Sequence, residues 1–285
     1  MIVVDYSQTI IASLMEQLKG SDTNEINVPL IRHMVVNSVR NYHTKFKDEY
    51  GEMVIACDSK KKYWRKQFFP QYKFHRKKAR ENSKYDWNLI FNTINKLKDE
   101  LKEVFPYKVI EIECCEADDI IATLAKHSQN TGEPFLIISG DHDFFQLQKY
   151  PNVRQYSFNK NKFITFNNSV DKVLFEHIIK GDRGDGIPNV LSSDDVIVNG
   201  IRQKPIQTKK LNLWFEDKDK MPSDIYFKRN FDRNKKLIDL SQIPEEYEKL
   251  IINSYNNYEQ NDRSKIMNYF NEHKMSKMAD LIEEF

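Results

Sequence analysis

The chain has few glycines, few cysteines and no long hydrophobic run. Its 285 residues include 8 glycines, and none of them forms the glycine-rich loop that cradles nucleotide phosphates. The three cysteines, Cys57, Cys114 and Cys115, lack the spacing of a zinc site, and an adjacent pair rarely forms a disulfide. We therefore expect reduced thiols in an intracellular protein.

The N-terminal segment lacks the features of a targeting sequence. No basic region precedes its apolar run, and Asp5 interrupts that run after three residues. A membrane helix needs about 20 apolar residues. The sequence predicts no signal peptide and no membrane segment, so we expect a soluble cytoplasmic protein.

Charge is nearly balanced in total but unevenly distributed. Lys and Arg number 44 and Asp and Glu number 42, which gives a net charge of +2. A chain of this length buries roughly three quarters of its unfolded surface, enough for one large domain or two modest ones. The positions of the charges, rather than their sum, therefore carry the functional information.

Short apolar runs alternate with helical patterns in the first half of the chain. Runs that we predict as buried strands lie at 2–4, 53–56, 108–112 and 135–139. Apolar residues recur every three or four positions at 28–46, at 87–105 and from residue 117 onward. This alternation predicts an α/β fold with a mainly parallel sheet between helices.

Acidic residues follow each predicted strand. Asp5, Asp58 and Asp141 lie one or two residues beyond their strands, and Glu116 and Asp118 open a helix after the third strand. A single acid in such a place is usually a helix cap or a turn residue. Acids at four strand ends are more informative, because ligands of parallel sheets bind beyond the carboxyl ends of the strands. We expect one acidic crevice.

An acidic crevice requires cations. Two carboxylates about 4 Å apart repel by roughly 4 kcal/mol at an effective dielectric constant near 20. Carboxylate oxygens suit Mg²⁺ or Mn²⁺, whereas His142, between Asp141 and Asp143, is not expected to be a ligand. The spacing of the acidic pairs favours two ions, which would support in-line hydrolysis of a phosphodiester.

A phosphatase that forms an aspartyl phosphate would also place an aspartate after its first strand. That class carries a second aspartate two residues further on. Here Asp5 is followed by Tyr6 and Ser7, so the pattern disfavours this class.

A basic and aromatic segment begins two residues after Asp58. Residues 60–80 contain ten Lys or Arg, six aromatic residues and no acid. A solvated helix face does not need six large rings, so we expect a flexible gate whose cations bind phosphates and whose rings stack on bases. Lys73 and Arg76 are candidates to neutralise the scissile phosphate.

The pattern changes after residue 180. Turn residues dominate the stretch GDRGDGIPNV, residues 200–224 are polar, and residues 244–285 show short amphipathic helical patterns. We predict a catalytic domain at 1–180, a helical bridge at about 60–86, and a helical DNA-binding domain at 181–285. The segment at 60–86 is called the bridge below.

Six motifs, in chain order, carry a resemblance to a known family: VVDYSQ, ACDSKKKYWRKQF, YKFHRKKARENSKYDW, EADDIIATL, ISGDHDFFQLQKYPNVRQYS and IIKGDRGD. They resemble the flap endonuclease and 5′-nuclease family, in particular the ribonucleases H of T-even bacteriophages. The resemblance implies a PIN-like core with a smaller C-terminal helical domain. It also implies a Mg²⁺-dependent 5′ to 3′ exonuclease and flap endonuclease that removes RNA primers during phage DNA replication in an infected bacterium.

The resemblance also implies roles for individual residues. The first metal site would comprise Asp5, Asp58, Glu116, Asp118 and Asp141, and the second Asp143, Asp182 and Asp185, while Asp119 matches a further acid of the cluster. The substrate-facing residues of the bridge would be Arg65, Tyr72, Lys73, Arg76 and Lys77. The catalytic candidates are Lys73, Arg76, Asp118 and Asp141. Two Mg²⁺ ions, replaceable by Mn²⁺, are the implied cofactors.

Implied substrates are RNA–DNA hybrids, duplex DNA and flap DNA, handled by a monomer. A phage single-strand binding protein and a sliding clamp are suggested as partners. One stretch departs from the family pattern: GDRGDGIPNVLSSDDVIVNG lacks the closely spaced glycines of the usual helix-turn-helix and carries Asp194 and Asp195. Other candidates for duplex contact are Lys180, Arg183, Arg202, Lys204, Lys209 and Lys210.

Two other interpretations stay open. A structure-specific DNA-binding protein with a residual acid cluster would bind without turnover. A toxin-type ribonuclease would carry a similar sheet, although the long basic bridge and the additional C-terminal residues disfavour it.

Overall fold

A mixed β-sheet lies at the centre of the computed structural model, which describes residues 1–19, 26–165 and 169–285. Its strands are β1 (Ile2–Asp5), β2 (Met53–Cys57), β3 (Lys108–Glu111), β4 (Phe135–Ile138), β5 (Val153–Ser157) and β6 (Lys162–Ile164). Their order is β3-β2-β1-β4-β5-β6. Strands β1 to β5 pair in parallel, and β6 is antiparallel to β5.

Helices cover both faces of the sheet, and others pack beside it. They are α1 (Tyr6–Lys19), α2 (Val28–Tyr50), α3 (Trp64–Phe68), α4 (His75–Glu81), α5 (Trp87–Val104), α6 (Ala117–His127), α7 (Val170–Lys180), α8 (Thr208–Glu216), α9 (Ile225–Ile238), α10 (Glu245–Asn256), α11 (Ile266–Glu272) and α12 (Ser276–Ala279). The helix starts follow local capping chemistry. For example, the side chain of Asp86 accepts a hydrogen bond from the backbone N of Leu89, 3.0 Å away, at the start of α5.

The predicted α/β fold is confirmed, and the four predicted strands are β1 to β4. Strands β5 and β6 escaped the prediction because β5 carries Arg154 and Gln155 within its pairing register, so it does not read as an apolar run. The order places β1 between β2 and β4, so the chain leaves β1 first toward one edge and later toward the other. Such a change of direction opens a crevice at the carboxyl ends of the central strands.

Two hydrophobic cores fill the space between sheet and helices. One lies under α2 and α5 and includes Ile55 and Leu97. The other lies under α6 and includes Val54 and Ile120. Neighbouring strand residues therefore alternate between the two faces, as expected for a sheet buried on both sides.

The C-terminal residues belong partly to these same cores. Ile251 of α10 packs into the core under α6, and Phe270 and Phe285 pack into the core under α2 and α5. Two smaller cores join α7, α8 and α9 to the bridge and its neighbouring loops. Helices α10 and α11 therefore pack back on the sheet, whereas α7, α8 and α9 pack with one another and with the bridge.

No helix in the described ranges has both the length and the apolar character needed to cross a bilayer.

Candidate active site

Acidic side chains converge where the central strands end. Six of the nine acids predicted as metal ligands line a cleft of about 740 Å³: Asp5, Asp58, Asp118, Asp141, Asp143 and Asp185. Lys73, Arg76 and Arg80 of the bridge line the same cleft. The cleft therefore brings the acidic motifs and the basic segment together, as the strand-end pattern predicted.

Asp5 forms the end of β1 and lies at the bottom of the cleft. Its carboxylate accepts hydrogen bonds from the backbone N of Gln8 and from Ser139 Oγ, both at 3.2 Å. Burial and then the nearby charge of Asp58 raise the pKa of Asp5 to about 7. A carboxylate at this position gains stability when a cation lies beside it.

Asp118 occupies the first turn of α6 and faces Asp5 and Asp141. Burial raises its pKa well above the ordinary value, Lys73 opposes the shift, and the charges of Asp141 and Asp5 add to it. Asp118 also lines the cleft. Its oxygens are therefore available to a ligand.

Gln8 and Ser139 organise the acids of β1 and β4, and the sequence did not single them out. The Gln8 side-chain oxygen accepts hydrogen bonds from Ser139 Oγ at 2.7 Å and from the backbone N of Gly140 at 2.9 Å. Its amide nitrogen lies 3.5 Å from Asp141 Oδ2. A glutamine on a helix and a serine after a strand carry no distinctive spacing, so only the fold reveals this link.

Glu116 and Asp119 lie in a buried ion-pair network with Arg65. One guanidinium nitrogen of Arg65 lies 2.9 Å from Glu116 and 2.8 Å from Asp119. Trp64 Nε1 donates to Asp119 at 3.1 Å, and so does the backbone N of Glu116 at 2.9 Å. Asp119 is completely buried and caps α6, so its carboxylate is already bound by protein groups rather than open to an ion.

Arg65 and Tyr72 do not face the substrate side of the bridge as expected. Both side chains are only 2% exposed. Arg65 donates its Nε–H to the Leu237 carbonyl at 3.0 Å, and the Tyr72 hydroxyl donates to Asp185 at 2.8 Å. Their role in this structure is to fasten the bridge to the body of the protein.

The aromatic residues of the bridge differ in their exposure to solvent. Trp64, Phe69 and Tyr72 are buried, whereas Phe68 and Phe74 are 52% and 56% exposed. The expectation that the rings serve base stacking does not hold for all six, because Phe69 and Tyr72 form a core with α7 and α9 and Trp64 donates to the buried Asp119. The exposed pair remains available for nucleic acid.

Lys73 and Arg76 lie in the cleft, where they pair with acids. Lys73 Nζ is 2.5 Å from Glu116, and Arg76 is 2.5 Å from Asp185. Lys73 also adopts a left-handed backbone with φ of 56°, a conformation that costs about 1 kcal/mol for a residue with a side chain. The bridge is thus held against the cleft by charge, rather than being free.

A second acidic cluster forms around His177, which sequence reasoning overlooked. The imidazole Nδ1 lies 3.5 Å from Asp143, and its Nε2 lies 3.0 Å from Asp182. Burial and then the charge of Asp141 raise the pKa of Asp143 to about 7. Burial alone would lower the pKa of His177, but the hydrogen bond with Asp182 raises this pKa above its ordinary value. By contrast, the side chain of His142 is exposed.

The Asp182 turn depends on Gly181. This glycine has φ of 68°, and a Cβ here would lie 2.3 Å from the Ile187 carbonyl oxygen. The turn directs the Asp182 carboxylate back to His177 and the Asp185 backbone N, 2.9 Å away.

The stretch that departs from the family pattern forms turns rather than a helix-turn-helix. Asp194 pairs with Arg229, 2.7 Å away, and with Arg233. The predicted duplex-contacting residues Arg183, Arg202, Lys204, Lys209 and Lys210 are exposed, and Lys180 pairs with Glu176 within α7.

The chemistry of the cleft fits divalent cations. Its donors are carboxylate oxygens, and three of the acids, Asp5, Asp118 and Asp143, have raised pKa values because burial and neighbouring acids disfavour their charged forms. Hard cations relieve this repulsion and bind such oxygens. An acidic cleft beneath a basic bridge is the arrangement expected of an enzyme that cleaves phosphodiesters.

Comparisons with known proteins agree with this class. Residues 3–174 match the family described as 5′-3′ exonuclease, N-terminal resolvase-like domain, and residues 168–285 match the family T4 RNase H, C terminal. The chain is 34% identical to Ribonuclease H of Enterobacteria phage T4 over 292 residues, which cover 99% of this chain and 95% of that protein. It is 27% identical to Flap endonuclease Xni of Shewanella piezotolerans over 62% of this chain and 68% of that protein.

Solved structures share the fold. A bacteriophage T5 flap endonuclease in a pseudo-enzyme–product complex with DNA and metal ions matches with a TM-score of 0.65, at 18% identity, over 89% of this chain and 98% of that chain. The T5 5′-exonuclease with bound zinc matches with a TM-score of 0.60 at 17% identity over the same shares.

Fold and cleft together define a nuclease. The chain belongs to the 5′-3′ exonuclease family, and its similarity to phage T4 Ribonuclease H extends over nearly its whole length. The resemblance inferred from the sequence motifs is confirmed.

Proposed function

We propose that the protein is a divalent-metal-dependent 5′ to 3′ nuclease and flap endonuclease. It would hydrolyse RNA–DNA hybrids and duplex DNA and remove RNA primers from lagging-strand fragments during phage DNA replication. The observation that carries the proposal is the placement of six acids and four bridge cations, Lys60, Lys73, Arg76 and Arg80, around one cleft. A residual DNA-binding site would have no need of acids held at raised pKa.

Two groups of acids would hold two Mg²⁺ ions, with Mn²⁺ able to replace them. Asp5, Asp58, Glu116, Asp118 and Asp141 surround the first position, and Asp143, Asp182 and Asp185 surround the second. Bound ions would supply Lewis-acid activation of water and of the scissile phosphate. Asp118 and Asp141 carry the catalytic assignment, because Asp118 lines the cleft and Asp141 lies between the two groups.

Lys73 and Arg76 would act on the phosphate. Both cations already lie in the cleft beside Glu116 and Asp185. When ions neutralise those acids, the ammonium and guanidinium groups can turn to the phosphate oxygens and offset the charge that develops there. Lys77 is exposed on α4 and would contribute a contact to the nucleic-acid backbone.

Substrate and partners follow from the proposed reaction. The relative with DNA in its structure supports a nucleic-acid substrate for this chain. Exposed basic residues on and before α8 would contact the duplex in place of a helix-turn-helix. We further propose a monomer that acts in the infected bacterial cytoplasm alongside a single-strand binding protein and a sliding clamp.

A primer-template experiment tests the proposal. Substrates labelled at the 5′ end, with an RNA primer, a DNA primer or a 5′ flap, are incubated with and without Mg²⁺, and product lengths are read on a gel. We expect short 5′ products only with Mg²⁺ or Mn²⁺, and flap-length products from the branched substrate. Binding without cleavage in every metal would contradict the proposal and favour a DNA-binding protein.

A further inference from the structure

His177 lies inside the second group of acids and has no role in the assignments above. It belongs to the last turn of α7, and its ring is 24% exposed. Its two nitrogens contact acids from different elements: Asp143 opens the 3-10 segment after β4, and Asp182 lies in the turn after α7. The imidazole thus links two acids that come from separate elements.

Protein contacts occupy several carboxylate oxygens in the second group of acids. Asp185 binds the bridge through both oxygens: Oδ1 is 2.5 Å from Arg76, and Oδ2 accepts the Tyr72 hydroxyl at 2.8 Å. The Asp182 carboxylate contacts His177 at 3.0 Å and accepts a hydrogen bond from the backbone N of Asp185 at 2.9 Å. An ion in this group would gain from a further donor, and the imidazole of His177 lies beside both Asp143 and Asp182.

The spacing of Asp143 and His177 suits one ion, with Asp182 close behind the imidazole. Asp143, His177 and Asp182 each offer a ligand atom, and these atoms all lie within 4.8 Å of one another. Ligands at about 2.1 Å from a common ion lie roughly 3 to 4 Å apart, which includes the 3.5 Å between His177 Nδ1 and Asp143. The other nitrogen, Nε2, meets Asp182 at 3.0 Å, and a ligating histidine usually donates its second ring N–H to a carboxylate in this way.

We propose that His177 is a nitrogen ligand of the second divalent ion, binding through Nδ1 beside Asp143 while Asp182 holds Nε2. The proposal rests on the two-ion function proposed above. Mg²⁺ prefers oxygen donors, whereas Mn²⁺, Co²⁺ and Zn²⁺ accept imidazole and gain affinity from it. The second site should therefore favour these ions over Mg²⁺ more strongly than the all-oxygen first site does.

Pulsed electron paramagnetic resonance of Mn²⁺ tests the assignment without using activity. In wild-type protein loaded with two equivalents of Mn²⁺, we expect echo modulation from a directly bound nitrogen. Labelling the histidines with ¹⁵N should change the modulation frequencies. The modulation should vanish in His177→Gln, and the Mn²⁺ affinity of the second site, measured by calorimetry, should fall by roughly 10- to 100-fold. Glutamine can still donate a hydrogen bond to Asp182, so a purely positioning role would be largely preserved.

His142→Gln is the matched control, because His142 lies between Asp141 and Asp143 in the chain yet is exposed. It should keep both the nitrogen modulation and the affinity.

Oxygen-only coordination in the wild type, or modulation that persists in His177→Gln, would overturn the inference. If Mn²⁺ in the wild type has only oxygen ligands and the protein still cleaves with Mg²⁺, the His177 proposal fails and the proposed function stands. If the wild type binds no Mn²⁺, both the His177 proposal and the proposed two-ion function fail. Should His177→Gln not fold, the labelled wild type and the His142→Gln spectra still decide the outcome.

Discussion

The acids at the strand ends and the bridge above them are held in place by different forces. The backbone supports the acids directly: the backbone N of Ala117 donates to Asp58 at 3.0 Å, where α6 begins. The bridge contains two short helices, and side chains hold it in place. Phe69 and Tyr72 pack against α7 and α9, and on the cleft side Lys73 pairs with Glu116 and Arg76 with Asp185.

This difference separates a rigid part of the site from an adjustable one. Strand ends are fixed by the sheet, so the acids stay close despite their repulsion. The bridge pairs with the same acids that would bind ions, so ions and bridge compete for Glu116 and Asp185. We infer that ion binding loosens the hold of the acids on the bridge cations and frees them for the phosphate. Four changes test the contrast, in order of decreasing effect.

Asp118→Asn tests the rigid part. The amide keeps the shape of the side chain but removes its charge, so cleavage should fall by about 10³-fold or more, while DNA affinity should change by less than about 3-fold because the bridge is intact. Single-turnover cleavage and gel-shift titration measure the two quantities. Asp141→Asn should behave alike, and Asp48→Asn, an exposed acid on α2, should change neither. Cleavage near the wild-type rate would remove Asp118 from the site.

Arg65→Met tests how the bridge is anchored to the rigid part. The change leaves Asp119 buried without its cation and Glu116 with Lys73 alone, so the free energy of unfolding should fall by about 3 kcal/mol in urea titrations. Lys61→Met is the matched control, since the Lys61–Glu113 pair is 65% and 62% exposed and should contribute nothing measurable. Equal stability of Arg65→Met and wild type would show that the buried pair does not anchor the bridge.

Arg76→Ala and Lys73→Ala test the adjustable part. If these cations act on the transition state, the single-turnover rate should fall by roughly 10- to 100-fold and the affinity for DNA by only a few-fold. Lys77→Ala, on the exposed face of α4, should instead weaken binding slightly and lower the salt slope of the binding constant by about 1, with little change in rate. Equal losses of rate and affinity in Arg76→Ala would reduce it to an anchor.

The pH dependence of stability tests the crowding of the acids. Asp5 and Asp143 have pKa values of about 7 in the folded protein, above their ordinary value of 3.8. The folded state therefore holds protons that the unfolded state releases, and the stability of metal-free protein should decrease as pH rises from about 4 to 7. We expect Asp5→Asn to reduce this loss, and Mg²⁺ to oppose it in the wild type. Melting temperatures in EDTA and in Mg²⁺ between pH 5 and 8 would show this. A metal-free profile that Asp5→Asn leaves unchanged would contradict the shift at Asp5.

Sequence patterns located the acids more reliably than the role of each bridge residue. Asp5, Asp58 and Asp141 follow apolar runs, and parallel strands necessarily bring such positions to one edge. In the bridge, some charged and aromatic residues anchor the segment and others are exposed, and composition does not separate these two roles. Arg65 and Phe68 lie three residues apart, yet the first is buried on Glu116 and the second faces solvent.

Local pattern in the chain determined the α/β alternation, the four central strands, the acid at each strand end and the basic character of the bridge, because each depends on residues adjacent in sequence. Tertiary structure alone decided which cations are buried and which acids pair with other side chains of the protein. It also decided that His177 contacts Asp143, 34 residues away in the chain. These outcomes depend on which surfaces meet when the helices pack on the sheet, and burial, not residue type, sets the energy of a charge there.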